Sequence, residues 1–317
     1  MYKVLLTDHP EQAALDVFAA YPEIEVTTVG TLGAADLAAL LPVFDAVIVR
    51  SPTKLTADVI AAGKRLKIIG RSGVGVDNID LAETVKRGIV VLNVPDANTI
   101  STAEHTVGMI LAIARRIAEA DRSLRAGRWD RNTLDGVELY GKTLGLVGFG
   151  RVGREVARRM LVFSMRVIAV DPYVAADAAR AVGVDLVDLD FLLRTSDVVS
   201  LHVALTSETT GLISKGEIDR MREGALLVNC SRGEVVDEKA LVRGLETGRI
   251  GGLALDVFEH EPPGRHPLFD HPRTVFTPHL GAATREARVR VGVQIAESVA
   301  KALTKGEIRD AVKGSTA

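Results

Sequence analysis

Short unbroken runs of Val, Ile and Leu punctuate the chain and alternate with segments whose apolar residues recur at helical spacing. The runs are Val4–Thr7, Ala46–Val49, Lys67–Ile69, Val90–Leu92, Leu144–Val147, Val167–Val170, Val198–Leu201, Ala225–Val228 and Leu253–Leu255. They lack apolar–polar alternation, as strands buried on both faces of a parallel sheet do. Between them, Glu11–Ala20, Ala34–Leu41, Val152–Leu161 and Lys239–Thr247 read as amphipathic helices. Strand, helix, strand in regular succession predicts an α/β protein made of doubly wound parallel sheets.

Two longer helices divide this pattern. The first is expected over Thr102–Ala126, with Ser101 as N-cap and Gly127 as stop, and it separates a first block of α/β units from a second that begins at Thr143. The last is expected over Thr284–Leu303, with Val289, Ile295, Val299 and Leu303 along one stripe. No strand follows it, so it must dock on something already built. Packing back onto the N-terminal block makes the first domain discontinuous, residues 1–98 and 284–317, with residues 99–283 inserted as the second. A length of 317 residues accommodates two such domains, each large enough for its own core.

Residues Lys142–Gly153 read KTLGLVGFGRVG. Gly148, Gly150 and Gly153 fall directly after an apolar strand and directly before a helix, the context that makes G-x-G-x-x-G specific. The first glycine permits the tight turn, the second lets backbone approach a pyrophosphate, and the third lets helix and strand pack closely. The helix then offers free N–H groups and the positive end of its dipole to phosphate. The next strand ends in Asp171, 21 residues beyond Gly150. A carboxylate there accepts hydrogen bonds from the adenosine ribose diol and repels a 2′-phosphate, so NAD is expected rather than NADP.

Three later segments place polar residues at or just after strand ends, where open α/β sheets bind ligands. LLVNCSRG puts Arg232 after a buried strand, LALDVF followed by EHEPPG puts Glu261 in a proline-rich loop, and VFTPHLG puts His279 beyond a short strand. The trio suits proton-coupled hydride transfer. A histidine exchanges the hydroxyl proton, a carboxylate orients it, and an arginine holds a substrate carboxylate and polarises the carbonyl.

These motifs, in this order, resemble the D-isomer-specific 2-hydroxyacid dehydrogenase family, as do RSGVGVDNID (Arg71–Asp80) and NVPDANTISTAEH (Asn93–His105) upstream. The resemblance spans essentially the whole chain. It implies a Rossmann NAD domain inserted into a discontinuous, flavodoxin-like substrate domain, and a homodimer formed largely through the NAD domains. It implies that His279 is the acid/base, Glu261 its partner, and Arg232 the group that binds substrate carboxylate and carbonyl. Arg151 and Val152 would hold the pyrophosphate through their backbone, and Asp256 would meet the nicotinamide carboxamide. Cys230 would pack beneath the nicotinamide and Gly281 would sit near it. Ser72, Gly73, Val74 and Gly75 would face the substrate carboxylate, and Asn98 would lie in the hinge region. Within the family the chain is most similar to the branch acting on D-3-phosphoglycerate, in which positions matching Arg50 and Arg71 hold the substrate phosphate. Val74, where that branch commonly has Thr, and the stretch His202-Val203-Ala204-Leu205 depart from its pattern. The rival substrates are glyoxylate, hydroxypyruvate and other 2-keto acids. A further rival, from another class, is an NAD-sensing corepressor-like scaffold that keeps the same triad.

Composition narrows the partners. Formal net charge is −2, which argues against nucleic acid or an anionic membrane surface as the ligand. No apolar run approaches a membrane span and no signal peptide is visible, so a cytoplasmic location is expected. The single cysteine excludes an intramolecular disulfide framework, and the spacing of His260, His266 and His271 fits no zinc pattern, so no metal is expected. His105 reads as a hydrogen-bonded interior histidine. Arginines number 28 against 11 lysines. Base composition of the genome accounts for most of that excess, whereas Arg50, Arg71 and Arg232 are assigned to an anionic small-molecule substrate. Arg128 and Arg131 stay open between a solvated or dimer-facing surface and a reach into a neighbour's site. The chain stops at Ala317, so no C-terminal regulatory domain is expected.

Overall fold

The computed structural model describes residues 1–312 and divides into two compact units, Met1–Asn98 with the segment from Ala283 onward, and Thr99–Ala282. The first unit carries strands β1 (Tyr2–Leu6), β2 (Ile24–Thr28), β3 (Ala46–Val49), β4 (Ile68–Arg71) and β5 (Val90–Leu92), with helices α1 (Gln12–Phe18), α2 (Ala34–Leu40), α3 (Ala57–Ala62) and α4 (Leu81–Arg87) between them. All pairings are parallel and the order is β2-β1-β3-β4-β5, the flavodoxin-like winding.

The second unit opens with α5 (Thr99–Ala114) and α6 (Ile117–Arg125). It continues through β6 (Thr143–Val147), α7 (Arg151–Val162), β7 (Arg166–Val170), α8 (Ala176–Arg180), β8 (Asp185–Leu186), α9 (Leu189–Thr195) and β9 (Val198–Leu201). It closes with α10 (Lys215–Arg220), β10 (Ala225–Asn229), α11 (Glu238–Glu246), β11 (Ile250–Leu255) and β12 (Thr274–Phe276). The parallel sheet runs β12-β11-β10-β9-β6-β7-β8, which is the Rossmann order with one extra strand at the β12 edge. The chain then returns to the first unit as α12 (Arg285–Lys305). A Cβ on Gly70 of β4 would lie 2.8 Å from Val299 Cγ2 and 3.0 Å from Ile295 Cγ1, so this helix lies directly on the five-stranded sheet. The fold is the expected one, a Rossmann domain inserted into a flavodoxin-like domain.

Several local expectations need correction. The helix read over Thr102–Ala126 is two helices, broken at Arg116, whose backbone is left-handed at φ 53° while its guanidinium bonds Glu119 at 2.9 Å. Ser101 is not at the N-cap position. It is buried inside α5, which begins at Thr99. On α12 the buried stripe is Val291, Ile295, Val299 and Leu303, each four residues from the next, and Val289 faces solvent. Strands β2 and β8 escaped the sequence reading because they are edge strands, one side unpaired and rich in polar residues.

Candidate active site

Local chain chemistry makes a dinucleotide crevice at the point where the seven-stranded order reverses, between β6 and β9. Gly148 has φ +97°, a conformation side chains resist, and a Cβ there would lie 2.7 Å from the His202 carbonyl group. A Cβ on Gly153 would lie 2.4 Å from Gly148 O, so only glycine lets α7 start this close to the turn. At Gly150, the N-cap of α7, the corresponding space is open. Arg151 and Val152 are the first two residues of that helix, at its amide-rich end. Asp171 follows β7, and its carboxylate accepts from Phe149 N at 2.8 Å and from Tyr173 N at 2.9 Å, which fixes it above the glycine turn. In β9, beyond the crevice, Ser200 meets the side chain of His202, the residue just after the strand, at 2.9 Å. Burial pushes the His202 imidazole down to about 4, so it is neutral at physiological pH. An open glycine turn, a helix N-terminus and a fixed carboxylate at the second strand together fit a dinucleotide with a free ribose diol.

A histidine–carboxylate pair is assembled on loops at the same sheet ends. Asp256, at the end of β11, is 1% exposed and organises the loop after β12. It accepts from Thr277 Oγ1 at 2.6 Å, Leu280 N at 2.7 Å and Gly281 N at 2.8 Å, and His105 Nε2 lies 3.2 Å away. Burial alone would raise its pKa; the bonds from His105, Thr277 and the two amides outweigh it and hold the carboxyl below the usual range. This turn puts His279 in the left-handed region at φ 54° and aims its Nδ1 at Glu261 Oε2, 2.8 Å distant. Phe258 N donates to the other Glu261 oxygen at 3.2 Å. Partial burial raises the Glu261 pKa, but the His279 bond and charge, then Phe258 N and Arg232, bring it below normal. Arg232 is held by its backbone, since Asn229 Nδ2 donates to Arg232 O at 2.8 Å. Cys230 lies buried in the core, and burial, with the Asp256 charge, pushes its thiol up to about 12, which removes it as a nucleophile.

The first unit brings another set together. Arg50 and Arg71 end adjacent strands, Val49 pairing with Arg71. The Arg71 guanidinium donates to Ser51 Oγ at 2.7 Å and to Ser72 O at 2.8 Å, folding over Gly73, where a Cβ would collide with it. Val94 N donates to Gly73 O and Asn93 Nδ2 to Val74 O, which pins the loop that continues into Gly75. Asn98 closes the unit's first segment.

Residues 107–281 match the family model described as D-isomer specific 2-hydroxyacid dehydrogenase, NAD binding domain. The chain belongs to this dehydrogenase family. It is 47% identical, over 98% of its length, to a D-3-phosphoglycerate dehydrogenase of Archaeoglobus fulgidus, and spans 59% of that relative. It is 45% identical to a hydroxypyruvate reductase of Thermotoga maritima over 95% of this chain and 98% of the reductase. Among solved structures, a glyoxylate reductase from Paecilomyes thermophila superposes with a TM-score of 0.90 at 30% identity, covering 98% of each chain.

Within this family member the motifs led to loops but not to what holds them. His105 is the interior hydrogen-bonded histidine expected of it, bonded to Thr277 Oγ1 at 3.0 Å. Asn229 was visible only as a letter in N-C-S-R-G; an amide closing the apolar run ALLV is the signal that could have marked it, and the structure buries it fully. Asp8 and Glu238 gave none, because all Asp8 partners but the adjacent Thr7 lie 23 to 45 residues away, and those of Glu238 lie 21 to 28 away. Among the described residues no group of three or more His, Cys, Asp or Glu could hold a metal ion, and no helix is long and apolar enough to cross a membrane.

Proposed function

We propose that the chain catalyses reversible NAD-dependent oxidation of a D-2-hydroxy acid, with D-3-phosphoglycerate as substrate and 3-phosphohydroxypyruvate as product. The observation that carries this reading is the 2.8 Å His279–Glu261 pair beside Arg232, in the unit that also holds the glycine turn and Asp171. NAD, when bound, accepts the hydride from the carbon bearing the hydroxyl. Arg232 receives the substrate carboxylate and polarises the carbonyl as it forms. Because His279 Nδ1 is engaged by Glu261, Nε2 is the atom left to take the hydroxyl proton. Glu261 keeps the ring oriented and favours the imidazolium once it exists. Oxidation therefore requires neutral His279 and rises with pH; reduction requires the protonated ring and falls.

The phosphate would be read in the first unit by Arg50 and Arg71, whose planar forks suit a dianion. Hydroxypyruvate reduction is the second reading, favoured by the Thermotoga relative that the chain matches along nearly its full length. A cytoplasmic homodimer is part of the proposal, supported by exposed Ile117, Leu124 and Trp129 on the second unit. The test is a panel of 2-hydroxy and 2-keto acids followed by NADH absorbance, with NADP in parallel. D-3-phosphoglycerate should be oxidised with NAD. Arg50→Ala and Arg71→Ala should weaken it far more than glyoxylate, and His279→Ala should lower oxidation by about 10²- to 10⁴-fold. Binding of NAD without turnover of any acid would favour the scaffold reading instead.

A further inference from the structure

The geometry points to Glu238 as a positioning residue that grips the Glu261-bearing loop at both of its ends and so sets the His279–Glu261 pair. The inference deepens the proposed dehydrogenase reading and rests on it. Glu238 is the first residue of α11, just after the N-cap Asp237. Its Oε1 accepts from Glu259 N at 2.9 Å, and its Oε2 meets His266 Nε2 at 3.0 Å. Residues 259 and 266 bound the segment in which Glu261 sits, so one carboxylate joins the way in to the way out.

The His266 end is fixed in its turn. Leu268 N donates to His266 Nδ1 at 3.3 Å, so Nδ1 presents its lone pair and Nε2 carries the hydrogen given to Glu238. The ring packs against Phe258 and Phe269, with centroids 6.2 and 5.6 Å away. The Glu259 end is fixed as well. A Cβ at Gly233 would lie 1.9 Å from the Phe258 carbonyl carbon, so the Phe258–Glu259 peptide presses on the residue that follows Arg232. The N–H on one side of that peptide unit, Phe258 N, donates to Glu261, and the next, Glu259 N, donates to Glu238. Glu238 thus fixes the stretch of backbone from which Glu261 is held.

Burial separates the two His–Glu pairs by task. The Glu261 and His279 side chains are 38% and 42% exposed, open to a substrate, whereas Glu238 and His266 are 17% and 13% exposed. An acid in a first helical turn gains from the helix dipole wherever it points; this one is committed to two donors. A carboxylate is required because both neighbours donate. Gln offers a single acceptor oxygen, so Glu238→Gln turns an NH2 group toward either Glu259 N–H or His266 Nε2–H.

The experiment compares wild type, Glu238→Gln, His266→Phe and Glu246→Gln, the last removing the same charge from the exposed far end of α11. In the protein without cofactor or substrate, Glu238→Gln should speed amide hydrogen exchange at Phe258 and Glu259 by about tenfold. In turnover, kcat should fall by about tenfold with KM and NAD affinity within about twofold, a misplacement rather than a binding effect. The pH profile of oxidation should change shape as well, because Glu261 no longer holds the His279 ring at Nδ1. His266→Phe should move the same readouts by less, and Glu246→Gln should match wild type. Wild-type exchange and pH profile in Glu238→Gln would overturn the assignment, as would kcat and NAD affinity falling together with the profile unmoved. Should Glu238→Gln not fold, wild-type exchange and profile in His266→Phe overturn it equally. If no acid is turned over by wild type, the dehydrogenase reading fails while the exchange rates still decide the grip.

Discussion

In the seven-stranded sheet the winding reverses between β6 and β9, and the backbone there is stripped of side chains at Gly148, Gly150 and Gly153. In the five-stranded sheet it reverses between β1 and β3, and the corresponding place holds Asp8, a buried residue with φ 61°. Four donors converge on it at 2.8 Å: the hydroxyls of Thr7, Thr31 and Thr53 and the backbone N–H of Arg50. The same topology makes a crevice outside the carboxyl ends of the strands in both units. One is kept empty by glycine, for a ligand to lie on. The other is filled by a carboxylate that fixes the backbone of Arg50, while Asn78 Nδ2 holds Arg50 O and Thr53 O from the other side. A doubly wound sheet can therefore use its switch point either as a seat for a ligand or as a socket for a loop.

Emptying the filled crevice should produce the largest effect. Asp8→Ala leaves Arg50 N–H and the buried Thr53 hydroxyl without their acceptor, a cost of about 2–4 kcal/mol by chemical denaturation. Affinity for the phosphorylated acid should fall with it, and NAD affinity, read by NADH fluorescence, should stay within about twofold. Equal losses in both ligands would mean that the socket is not specific to the Arg50 loop.

Filling the empty crevice comes next, and it separates two kinds of glycine. Gly150→Ala puts a methyl into open space at φ −75°, so the fold should tolerate it while NAD affinity drops by about tenfold, ~1.4 kcal/mol. Gly153→Ala instead drives a methyl toward Gly148 O and should cost about 1–3 kcal/mol of stability as well as cofactor binding. Unchanged NAD binding in Gly150→Ala would remove the crevice from the cofactor site.

That contrast also explains what the sequence made legible. Glycines, strand ends and the Asp171 position are local signals: the motif, its strand and its helix lie within about thirty residues, as a βαβ unit requires. Core strands were legible because burial on both faces leaves few polar letters, and edge strands β2 and β8 were not, because their exposed positions are polar. Arg232, Glu261 and His279 were legible as polar residues in the loops that follow buried runs. The groups that aim them were not. Asp8 reaches Thr53 across 45 positions and His279 owes its turn to Asp256, 23 residues earlier, and such pairings exist only after the sheets form. The break at Arg116 was invisible because the apolar spacing continues across it, and only a left-handed residue interrupts the backbone.

The smallest effect concerns Asp256, the seven-stranded unit's own loop-holding carboxylate. Its partners are backbone amides, a threonine hydroxyl and His105, and against burial they hold its pKa below the ordinary aspartate value of about 3.9. A carboxylate whose folded pKa is depressed binds fewer protons folded than unfolded. Its contribution is therefore complete above the unfolded value and is lost as pH falls through the folded one. Between about pH 5 and pH 3 the wild-type Tm should decline, and Asp256→Asn, already less stable at neutral pH, should decline less steeply. Protonating the carboxylate weakens what Leu280 and Gly281 donate to, so the protection of those two amides, taken relative to their intrinsic exchange rate at each pH, should fall over the same interval. Parallel Tm slopes for the two proteins would show that the 277–281 turn is held by packing, and would leave Asp8 as the carboxylate on which a functional loop depends.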